Sequence, residues 1–165
     1  MKRGIQAASI LMSFVLGVLP GFAQDHVSTS RQDEVARKGA EVMPFDLTLT
    51  THYFDDTATG GVERVTANDL HDQRQVELIR SHLAHEATQF GRGDFSDPAK
   101  IHGKDMPGLK TLATAGDKLH VSYRALPAGA SLTYSSRDTA VIAAIHEWFA
   151  AQRSDHAAHA HHHSP

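Results

Sequence analysis

No cysteine occurs among the 165 residues. Disulfides, thiolate metal sites, iron–sulfur clusters, covalent c-type haem and cysteine nucleophiles are therefore excluded. Any metal must be held by His, Met, Asp or Glu. A surplus of positive charge is also lacking. Of the 16 Lys and Arg, Lys2 and Arg3 fall in an N-terminal leader, so 14 face 19 Asp and Glu in the remainder, and 14 − 19 gives −5. That balance excludes a nucleic-acid partner. Catalytic signatures are missing too: there is no H-E-x-x-H, H-x-x-E-H, G-x-S-x-G, P-loop or dinucleotide fingerprint, and the short GRG (91–93) and ATGG (58–61) are turn glycines. Enzymatic activity is accordingly the last reading to consider.

The chain has one long apolar run, IQAASILMSFVLGVLP, preceded by Lys2 and Arg3 and followed by GFA before Gln24. This is the layout of a secretory signal peptide over residues 1–23, so the expectation is an exported, periplasmic or secreted protein without a stable membrane anchor after cleavage. Residues 24–156 suffice for a single domain. The remainder, 157–165, is an Ala/His tail expected to be a disordered, weakly chelating extension.

Periodicity predicts a short helix in 29–43 and a strand over FDLTLTTHYF (45–54). The turn-rich DDTATGG (55–61) reads as a loop leading to VERVTA. Residues 68–90 form the strongest helix, with Asn68 or Asp69 as its cap and an apolar stripe of Val76, Ile79, Leu83, Ala87 and Phe90. A loop with at most one short turn from Asp97 and Pro98 follows, then a short helix after Pro107. KLHVSYRAL (118–126) and SLTYS (131–135) make a second hairpin, and a final helix spans 137–156. Strands that arrive as hairpins indicate an α+β fold: a roughly four-stranded antiparallel sheet built from two hairpins, with helices packed on one face. Counting alternation through 45–54 puts His52 opposite Leu47, Leu49 and Tyr53. His52 and His120 are thereby expected on an open sheet face, which could be solvated, bind a ligand or form a homodimer.

The remaining chemistry is histidine chemistry, with 13 in the chain. His82 and His85 are neighbours on the long helix and could share a cation, or could simply belong to a solvated face. Glu86 is available as an acceptor behind them. His102 and Met106, bracketed by Gly103 and Pro107, offer imidazole plus thioether, a set that suits copper better than zinc. A buried methionine under a loop is the alternative for Met106. His156 falls in helical phase with Phe149 and Gln152 and points inward, with Asp155 placed to orient an imidazole.

The segments MPFDLTLTTHYF, IRSHLAHEATQF, GDFSDPAKIHGKDMPGL and HEWFAAQRSDH resemble a group of small, uncharacterised exported bacterial proteins, some labelled aspartate carbamoyltransferase. The similarity covers about residues 35–156 and implies a shared site drawn from His52, His82, His85, His102, His146 and His156. It does not imply the labelled reaction, because a true carbamoyltransferase is about twice as long and carries S-T-R-T-R and H-P-x-Q, whereas this chain has only STSR (28–31). The expectation is thus an exported metal-binding protein, copper before zinc, using His52, His82, His85, His102, Met106 and His156 for sequestration, delivery or sensing. A noncovalent haem or small-ligand binder and a pH-responsive interaction protein without enzymatic activity are the alternatives.

Overall fold

The computed structural model describes residues 22–156 and 160–161, with side chains over 30–156. The expected leader as far as residue 21, and tail residues 157–159 and 162–165, lie outside the described residues. No helix among those described is long and apolar enough to cross a membrane.

The protein is α+β, as expected. Helix α1 (Phe22–Val42) leads to strands β1 (Thr50–Thr57) and β2 (Gly60–Ala67), then α2 (Gln73–Phe90), α3 (Ser96–His102) and α4 (Leu109–Ala113). Strands β3 (His120–Leu126) and β4 (Gly129–Ser135) precede α5 (Thr139–Asp155), and a two-residue strand β5 (Ala160–His161) follows. The sheet order is β3-β4-β2-β1-β5. The first four strands are antiparallel; β5 runs parallel to β1, with Ala160 opposite His52 and His161 opposite Tyr53. Those two residues form a strand where the sequence led us to expect disorder.

Three expectations about the first hairpin and its helix are corrected. Leu47–Leu49 form a 3-10 turn capped by the Asp46 side chain, so they do not belong to the strand. The pleat therefore begins at Thr50 with the opposite phase, and Thr50, His52 and Phe54 face inward. A one-residue change of phase moves every side chain to the other face. The loop expected over 55–61 is instead paired strand: Thr57 lies opposite Gly60, leaving only Ala58 and Thr59 in the turn. Close approach explains the neighbouring glycine, since a Cβ on Gly61 would run into the Phe149 ring. Finally, α2 starts at Gln73 rather than 68, because the Asp72 side chain accepts from the Gln75 N–H and Asn68 is held by the turn through Leu49 O.

The core lies between the sheet and helices α2 and α5. The α2 stripe of Val76, Ile79, Leu83 and Phe90 is buried as its spacing requires. From α5, Val141, Ile145, Trp148 and Phe149 meet Phe54, Leu132 and Tyr134 of the strands. Trp148 stands edge-on to Phe90, Phe95 and Tyr134, and the stacked Phe90–Phe95 pair ties the start of α3 to this aromatic centre. The opposite sheet face carries Arg64, which pairs with Asp55 at 2.6 Å and lies over the Tyr53 ring, while His120 is exposed. His52 is absent from that face.

Candidate functional site

Four histidines from four elements line one cavity of about 30 Å³: His52 of β1, His82 of α2, His102 at the end of α3 and His156 at the end of α5. All four are buried. Their sequence separations are large, so only the tertiary fold unites them. His52 arrives through the shifted phase of β1. His102 is the last residue of its helix, closed by Gly103 at φ 95°. His156 caps α5 with its backbone N–H on Gln152 O.

The cavity has two unlike walls. On one, His52 and His156 lie face to face with ring centroids 5.4 Å apart, and His102 meets His156 edge-on at 5.0 Å. His102 Nδ1 donates to Asp155 Oδ2 at 2.8 Å, and Asp155 is gripped by Arg31 of α1 through Nε and a terminal guanidinium nitrogen at 3.1 and 2.7 Å. Arg31 also donates to the His102 carbonyl at 2.6 Å. Burial alone would raise the Asp155 carboxyl, but the hydrogen bonds from Arg31 and His102 outweigh it and hold it below its ordinary range. Burial dominates at His102 and lowers its imidazole despite Asp155. At neutral pH His102 is therefore neutral, its tautomer fixed by Asp155, with Nε2 outside that pair.

The other wall is acidic. Glu63 of β2 is buried, and the Tyr134 hydroxyl donates to its Oε2 at 2.8 Å. Burial, then the neighbouring Glu86 carboxylate, pushes Glu63 up to about 8, so it is a neutral acid at pH 7. His82 Nε2 stands 3.3 Å from Glu86 Oε1. Burial pulls His82 down, yet the hydrogen bond and charge of Glu86 outweigh it and leave the imidazole raised. Phe45 contacts both walls, with its centroid 6.1 Å from His52 and 5.6 Å from His82.

Trp148 Nε1 and Gln152 Oε1 are buried without a hydrogen-bond partner among the described residues, and both side chains line the cavity. Buried polar atoms of this kind are normally satisfied by a bound water or ligand. The volume suits an ion or one or two waters, because a water requires about 10–15 Å³ measured this way. Haem is far larger than the cavity.

The remaining candidates are elsewhere. His85 is exposed and does not line the cavity. His146 donates from Nε2 to Thr57 O and Gly60 O, closing the first hairpin against α5. Met106 is packed in the core and lines a separate surface pocket, not the cavity. The thioether that does line the cavity belongs to Met43. Among the described residues, no three or more His, Asp or Glu side chains are arranged to hold a metal ion as they stand.

Sequence spacing offered no sign of Glu63, which reads as an ordinary polar strand residue in VERVTA, or of Met43 and Arg31. Asp155 was legible as an orienting group, and the structure assigns it to His102. Comparison of the chain with family models, curated proteins and solved structures finds no match.

Proposed function

We propose that the protein is an exported metal-binding protein that holds one ion, copper before zinc, in the cavity among His52, His102 and His156, with Met43 as the soft fourth donor. The observation that carries this reading is the Arg31–Asp155–His102 chain: a carboxylate on one imidazole nitrogen is how proteins fix the tautomer of a metal-ligating histidine. Neutral imidazole with thioether favours Cu(I), and Met43, rather than Met106, is the methionine that lines the cavity. To present nitrogens rather than faces to an ion, the stacked His52 and His156 rings would have to turn. Sequestration, delivery and sensing all fit a buried single-ion site. Haem is disfavoured by the cavity's size.

The test uses the full chain with His159, His161, His162 and His163 changed to Ala, so that tail chelation cannot contribute. Anaerobic loading with Cu(I), and separately with Zn(II), followed by elemental analysis should give one copper per chain, lost in His102→Ala. A protein that retains no ion once the tail histidines are gone would refute the reading. The acid wall favours a second reading, a pH-responsive domain without enzymatic activity, because Glu63 titrates near physiological pH. Unchanged metal-free stability between pH 5 and 8 would remove it.

A further inference from the structure

His102 lines two spaces at once: the histidine cavity and a surface pocket of about 360 Å³. The surface pocket also contains Arg31, Asp155, Met106, Lys104 and Asp105. The His102 imidazole, clamped by Asp155 and Arg31, therefore stands between the surface pocket and the cavity. Met106, only 7% exposed, lines the surface pocket and not the cavity.

We infer that this surface pocket is the route by which the ion reaches the cavity, with Met106 as a transient thioether station and His102 as the group that receives the ion and turns it inward. The inference rests on the metal-binding reading above and deepens it. Its chemical logic is that Cu(I) moves readily between thioether and imidazole donors, and Met106 and His102 line the same surface pocket. Arg31 and Lys104 put positive charge at the mouth, while Asp105 and Asp155 oppose it. Loading through this mouth must then respond to its charge and to salt. A group used only in passage alters loading and release equally and leaves the equilibrium affinity alone, whereas a ligand alters the affinity.

The experiment supplies Cu(I) anaerobically from a chromophoric chelator to the full chain lacking the four tail histidines. It follows loading by loss of the chelator's colour and release into excess chelator. Met106→Leu, a swap that cores tolerate, should slow loading and release together, severalfold, with one ion still bound and the affinity unchanged. Lys104→Glu, at an exposed position, should speed loading by about tenfold at low salt and lose that gain at high salt. Wild-type rates in both variants would overturn the route while leaving the cavity site standing. Weaker binding in Met106→Leu with unchanged loading would overturn it by making Met106 a ligand. No copper bound by the parent protein would overturn both the route and the site.

Discussion

The two walls of the cavity handle buried ionisable groups in opposite ways. The imidazole wall reaches outward: His102 is paired with Asp155, and Asp155 with an arginine from α1, so its charge is balanced through a chain ending at the surface. The acid wall resolves its charge internally, since Glu63 keeps its proton and shares a hydrogen bond with Tyr134, while His82 takes the neighbouring Glu86. One wall is fixed by partners, with burial holding the His102 imidazole below its ordinary range. The other changes its state of charge near neutrality. A burial cost met by a salt bridge gives rigidity, whereas one met by protonation gives sensitivity.

The largest effect should come from removing the acid wall's sensitivity. Glu63 is raised in the folded protein, so the native state binds the extra proton between about 4.5 and 8, and stability falls as pH rises through that window. Glu63→Gln keeps an acceptor for Tyr134 and abolishes the slope. Denaturation across pH 4 to 9 should show the variant more stable than wild type above pH 8, on the order of 4 kcal/mol, with no gain at pH 4.

Breaking the imidazole wall should cost less. Asp155→Ala leaves His102 and the half-exposed Arg31 without their carboxylate, a loss of about 2 kcal/mol by urea denaturation, with copper affinity down roughly 10–100-fold. The comparison fails if Asp155→Ala leaves affinity intact. Smaller again is Tyr134→Phe, which removes one buried donor. It should cost about 1–2 kcal/mol and move the Glu63 titration to higher pH, seen as a displaced midpoint in the pH–stability curve. At the bottom of the scale, His85→Ala should change stability by less than about 0.5 kcal/mol and leave metal loading unaltered, because the side chain is solvent-exposed and lines neither wall.

What could be read from the sequence follows from the range over which each signal acts. Helix α2 spans 18 residues, enough turns for its apolar stripe to stand out. The α+β class was legible because two hairpin patterns alternate with helices. His156 was placed inward by helical phase, and the structure buries it. Phase failed at His52, where three residues of 3-10 turn preceding the strand shifted the count by one and sent the ring to the helix side. Met106 misled because its nearness to His102 in the chain suggested a shared ligand set, whereas after the helix end at Gly103 only His102 reaches the histidine cavity and Met106 lines only the surface pocket. Glu63 was invisible for a further reason: its chemistry arises from Tyr134 and Glu86, 71 and 23 positions away, and nothing local in VERVTA announces them.

The short parallel pairing of Ala160 and His161 along β1 bears on how this protein should be handled in the laboratory. A strand border left bare recruits other chains, and here the border is shielded by the protein's own C-terminal residues at the level of His52. Cutting the chain after His156 would strip that shield and bare backbone donors and acceptors beside the histidine cavity, inviting self-association unrelated to metal. Point replacement of the tail histidines preserves the backbone cover.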